Sequence, residues 1–272
     1  MKSVLGGRKT MQIRTLCMQC AKERPDDRRA EKWLELNDDF LFLSTCENNH
    51  TELIYMTQTK FEILFDMGAM ALLDGYTREA VTSIAASLER FYEFCIFVFL
   101  KHAGVTDDIF TRTWKHIEAQ SERQLGAFLF LYVSALNEYP EYKPIEDQAK
   151  FRNGVIHKGK IPSYDEVVQY GEVVLSWIYA VLKKIRATAN RSLTEAHFFF
   201  LKKTTSIARD ILKKQPNAKW VGIGGPTIID IPLADESFGV KTFNQALQEL
   251  SANRTRYYRT HPPKSFIPGS HP

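Results

Sequence analysis

Long apolar runs are missing from this sequence. The two longest, Phe94 to Leu100 and Leu125 to Leu136, fall far short of the roughly 20 residues that cross a bilayer. Both read as buried helix, and no membrane partner is expected. A secretory signal is missing too: Met1 to Met11 carry Lys and Arg with no apolar stretch behind them, which predicts a soluble protein of the cytoplasm. There is no internal repeat. The glycine-rich GIGGP at 222–226 lacks the Gly-Lys-Ser/Thr ending of a phosphate-cradling loop and reads as a turn between short strands. Cysteine is scarce, four in 272 residues. Strong net charge is absent, at +4 overall.

What is present supports a globular chain. With 44% hydrophobic and 12% aromatic residues it can bury a real core, with room for one medium domain and smaller appendages. The charge is uneven: from Lys183 to Lys219 there are ten Lys or Arg against Glu195 and Asp210. Such a stripe is either a footprint for phosphates or a solvated helix face. The tail NRTRYYRTHPPKSF, with Arg254, Arg256 and Arg259 around Tyr257 and Tyr258, either stacks on single-stranded RNA or is a disordered end.

Three of the cysteines, Cys17, Cys20 and Cys46, fall in the first fifty residues with His50 close behind. Two residues separate the first pair, which lets both thiolates grip one ion from a tight turn. Cys46 and His50 offer a second pair separated by three. Two such pairs make a closed tetrahedral site with no open position for water, and this predicts a structural zinc ion rather than a catalytic one. The competing readings are a chance cluster and a redox Cys-x-x-Cys of the thioredoxin kind, which would open a helix after a strand within a larger α/β fold. Cys95 lies on an apolar helix face and reads as core.

The organisation expected is a zinc-ribbon-like knuckle over residues 1–58, a helical domain over 59–190 and a C-terminal extension over 191–272. From Phe61 the apolar period is helical, and Gly75 reads as the stop. Thr77 can cap a long helix running from about Arg78 to His102. Helices are also expected over about 107–120, 121–137 and 145–156. Ser163 and Glu166 form a capping box for a helix extending to about Arg186. Antiparallel helices in this order suggest a bundle. Beyond 190 a helix over about 194–214, a strand-like WVGIGGPTIIDI and a helix near 242–250 predict a mixed α/β extension.

In FRNGVIHKGK, Asn153 and His157 are four apart and share a helix face, with Arg152 about 100° round. Gly159 suits a helix end, leaving His157 near an accessible terminus. A histidine with a pKa near 6.5 can move a proton to or from a ribose 2′-hydroxyl, and an arginine can hold charge building on a phosphate, with no metal required. An Arg and a His near a helix end also serve simply as caps or ion-pair partners.

The stretch from about Phe61 to Arg186 resembles a HEPN domain, a helical family whose ribonuclease members carry Arg, a polar residue and, after a short spacer, His near a helix end. The motif stands here as Arg152, Asn153, Gly154, Val155, Ile156, His157. The segment GYTREAVTSIAASLERFYEF resembles the long second helix of such domains. The resemblance implies a mainly α fold, a HEPN-like antiparallel bundle. It also implies a metal-independent endoribonuclease that works as a homodimer, with the motifs of both copies facing one cleft. Arg152 and His157 would be its catalytic pair, and Asn153 would orient the phosphate or ribose. Glu89 is either the group that holds Arg152 or an ordinary surface carboxylate. Many such proteins resemble toxins or antiviral effectors that cut cellular RNA. Restraint would then come from an inhibitory or activating protein partner, from the zinc knuckle or from the C-terminal region. The alternative is a HEPN-like module that binds RNA, nucleotide or protein without cutting, or a scaffold recruited through the knuckle.

Overall fold

The computed structural model describes residues 11–23, 31–224, 227–229, 231 and 241–259, without the side chains of 203 and 254–259. The N-terminal basic residues, part of the linker after Lys22, residues 225 and 226 of the glycine-rich turn and the Arg/Tyr tail side chains lie outside that description. Two compact units make up the chain. One combines residues 1–57, 203–225 and 252–272, and the other combines 58–202 and 226–251.

The first unit holds two three-stranded sheets. In one, β1 (Gln12–Leu16) pairs antiparallel with β2 (Glu31–Glu35) and with β6 (Tyr258–Arg259). A short helix, α1 (Met18–Glu23), follows β1. In the other, β3 (Leu41–Thr45) and β4 (Thr51–Met56) form a hairpin. The WVGIG segment becomes β5 (Lys219–Ile223), which runs parallel to β4 with Leu53 opposite Trp220. Leu41 and Leu53 of this sheet pack with Ala208, Ile207 and Ile211 from the last turns of the long helix α7 (Tyr164–Lys214). Sequence patterning exposes the apolar strand but not its partner, because parallel pairing joins residues far apart in the chain.

The second unit is helical. Thr59 opens α2 (Lys60–Leu73), its amide and hydroxyl donating to Glu62 at 2.6 and 2.7 Å. Gly75, at φ +83°, turns the chain back into α3 (Thr77–His102). Tyr76 is the N-cap and Thr77 the first helical residue, one position from the expected cap. Gly68 permits the close approach of α2 and α3: a Cβ there would lie 2.6 Å from Ile84 Cγ1 and 3.1 Å from the Ala80 carbonyl oxygen. Around α3 pack α2, α4 (Asp107–Trp114), α5 (Ser121–Leu136) and α6 (Lys143–Lys158). The core is aromatic, with Phe61 against Phe91 and Phe94, and Tyr92 against Phe128. Cys95 is fully buried in it.

One helix boundary differs from expectation. The helix expected over 107–120 ends at Trp114, and the chain continues in turns closed by His116 N to Thr113 O and Ile117 N to Trp114 O. The helices expected on either side of residue 190 are both present: α7 consists of two helices that meet at a kink at Ala189, which lies outside helical geometry at φ −134° and ψ 35°. No glycine or proline stands between Pro162 and Gln215 except Gly171, so no helix-breaking residue type marks the kink. The capping box is present: Ser163 N donates to Glu166 Oε2 at 2.8 Å, and Glu166 N to Ser163 Oγ at 3.2 Å.

Candidate functional site

Cys17 ends the run of β1, and Cys20 sits within α1, where the Ala21 amide donates to the Cys17 carbonyl. The hairpin between β3 and β4 tightens through Cys46 N to His50 O and Asn49 N to Cys46 O, with Asn49 left-handed at φ +61°. Local geometry therefore aims both pairs at one point. The four ligand atoms lie within 4.8 Å of one another and could hold a metal ion. Cys20 Sγ is 3.7 Å from Cys46 Sγ and 3.2 Å from His50 Nδ1, and Cys17 Sγ is 3.7 Å from the same nitrogen. All three thiols are buried and free of disulfides. Cys17 and Cys20 do stand at a strand-to-helix junction, so that local feature alone does not separate the redox from the metal reading. The convergence of Cys46 and His50 on the same point adds two further donors to the pair.

Sequence reading missed the support beneath this cluster. Glu52, fully buried on β4, accepts from Met18 N at 2.9 Å and Cys17 Sγ at 3.5 Å, and pairs with the nearly buried Lys32 at 3.1 Å. Asn48 Nδ2 donates to Cys20 Sγ at 3.2 Å. His50 Nε2 faces Glu23 at 3.8 Å while Nδ1 faces the sulfurs, the arrangement in which a carboxylate orients a ligating imidazole. The signal for Glu52 was present as a solitary acid in the apolar strand TELIYM. Burial pushes the Cys17 thiol up to about 11. At Cys46 burial also raises the pKa, but backbone amides of His50 and Asn48 outweigh it and the net shift is downward.

In the helical unit, α6 carries Arg152, Asn153 and His157 in its last turns and ends at Gly159, left-handed at φ +72°. Lys160 N closes the end on Gly154 O at 3.0 Å. Arg152 Nη1 reaches Glu89 Oε1 of α3 at 3.2 Å. Behind the pair stands Tyr170, fully buried, its phenol pushed well up by burial against the lowering pull of the Arg152 charge. Asn153 Oδ1 is buried without a hydrogen-bond partner among the described residues. His157 is exposed. Both hydrogen bonding within the last turn and the glycine end hold these side chains on a defined scaffold. No protein-family model, curated protein or solved structure matches the chain. No described helix is long and apolar enough to cross a membrane.

Proposed function

We propose that this chain is an endoribonuclease that cuts cellular RNA without a catalytic metal, in a HEPN-like homodimer, and that Cys17, Cys20, Cys46 and His50 hold a structural zinc ion. The observation that carries the first part is the Glu89–Arg152 ion pair. It fixes a guanidinium on the last turns of α6 beside Asn153 and the exposed His157. An isolated buried acceptor such as Asn153 Oδ1 is costly until a partner arrives, and a ribose hydroxyl is one such partner.

In this reading the neutral His157 imidazole accepts the 2′-hydroxyl proton as that oxygen attacks the adjacent phosphorus. The bond from phosphorus to the 5′-oxygen breaks, and the leaving oxygen takes a proton from the imidazolium of the second copy's His157. The products are a 2′,3′-cyclic phosphate and a 5′-hydroxyl. Arg152 offsets charge on the phosphoryl oxygens, and Glu89 is a positioning residue. Cutting tRNA, rRNA or mRNA in this way fits a toxin or antiviral effector restrained by a protein partner.

The zinc reading rests on the donor set and its spacing. Ligands about 2.3 Å from a tetrahedral zinc are separated by about 3.8 Å, close to the 3.7 Å between Cys20 and Cys46. Four protein ligands fill the shell, so the ion supplies cross-linking of the two turns.

The test is incubation of purified protein with total tRNA and ribosomal RNA in excess chelator, beside His157→Ala. Cyclic-phosphate ends from the wild type alone are expected. If a chain shown to be dimeric cuts nothing, the non-catalytic binding module takes its place.

A further inference from the structure

Arg78 stands at the second residue of α3 and is exposed. Its Nε donates to the Val155 carbonyl at 3.3 Å. Val155 is fully buried and lies two residues before His157, so the guanidinium is tied to the turn that carries the proposed base. The tether is made through Nε, and the two terminal nitrogens of this exposed side chain form a fork suited to two oxygens of one phosphate. Arg152 differs, because one of its terminal nitrogens is engaged by Glu89.

Helix electrostatics do not account for the position by themselves. A cation in the first turn of α3 opposes that helix's own dipole, whereas near the last carbonyls of α6 it is favoured. The two effects oppose one another. Arg78 and Glu89 are eleven residues apart, about three full turns, and share one face of α3. That face presents to α6 a carboxylate that orients Arg152 and a tethered guanidinium at the helix end. Exposed Lys158 follows His157 directly and adds positive charge at the same end.

We propose that Arg78 is a second phosphate-binding side chain of this site, gripping the RNA backbone at a phosphate other than the one held by Arg152. The inference rests on the ribonuclease reading and adds to it a residue that sets how the strand lies across the site.

The test uses the full chain carrying His157→Ala, so that RNA survives, with a fluorescein-labelled single-stranded RNA of mixed sequence, alongside cleavage by the wild type. Adding Arg78→Ala is expected to weaken binding about tenfold. It is also expected to reduce the slope of log affinity against log salt by about 0.7, the value of one phosphate contact on a single strand. Arg78→Lys keeps the charge without the fork and should restore the slope but only part of the affinity. Weaker binding with an unchanged slope would assign Arg78 to holding the end of α6 and would overturn the proposal. Unchanged affinity and slope would also overturn it, and a wild type that still cuts RNA would leave the ribonuclease reading standing. If the His157→Ala chain binds no RNA at any salt and the wild type does not cut, both readings fall.

Discussion

Glu89 and Arg152 meet with 32% and 25% of their side chains in solvent, a setting in which an ion pair contributes at most about 1 kcal/mol. Its consequence is for position. Glu89→Gln is expected to change unfolding free energy by less than about 1 kcal/mol while lowering cleavage by tenfold to a hundredfold, the order expected for a displaced catalytic group. Calorimetry and a cleavage assay on the same preparation check this. An equal loss in both would make the pair a structural one, and unchanged cleavage would remove Glu89 from the site. At this scale the sequence exposes residue types and spacing along one element. Asn153 and His157 share a face of α6 for that reason. Whether Glu89 meets Arg152 depends on how α3 lies against α6, which no local pattern encodes. Lys32 and Glu52 were hidden for a related reason: charged residues are read as exposed until the fold supplies each with a partner.

Elements ending in strong local signals were legible, and those lacking one were not. Gly75, Gly159 and the Ser163–Glu166 box mark their boundaries, whereas no such signal marks the end of α4 at Trp114. Gly68 illustrates a different demand. It lies inside a helix, where glycine is unfavourable, and is required by the contact with Ile84 and the Ala80 carbonyl. Gly68→Ala is expected to destabilise the protein by about 1 to 3 kcal/mol, because the Ala80 backbone cannot move aside without shifting α3. Urea unfolding measures the change, and a stabilised variant would mean the two helices part freely. Tyr170 of α7 makes the helical packing sensitive to alkali. Burial raises its pKa above the ordinary 10.0, so the fold favours the neutral phenol. The stabilisation is complete below the unfolded value of about 10 and is lost as pH climbs from there toward the higher folded value. Melting temperature should therefore fall above about pH 10, and Tyr170→Phe should flatten that fall. Since the Tyr170 hydroxyl is buried without a partner among the described residues, the same substitution should cost little at neutral pH.

At the scale of the whole molecule, residues far apart in the chain share one unit: β6 pairs with β1, and β5 with β4. Neither pairing was legible, since both depend on long-range closure rather than on pattern. The Cys and His turns lie within this unit, and the three thiols form a buried cluster of their own. A cluster so small contributes little apolar burial, and a metal bridging β1–α1 to the β3–β4 turn would supply the missing cohesion. The protein is therefore expected to carry one zinc per chain by elemental analysis. Cobalt in its place should show the visible absorption of a tetrahedral thiolate complex. Stripping the ion, or Cys46→Ser, should lower the melting temperature and open residues 31–57 to protease. Because the ion is given no part in the cleavage step, initial cleavage rates measured below the melting transition should persist after chelation. Loss of cleavage on chelation while residues 31–57 stay protected would place a metal in the chemistry. A purified chain without metal that melts at the same temperature with or without added zinc would leave the four side chains as packing alone.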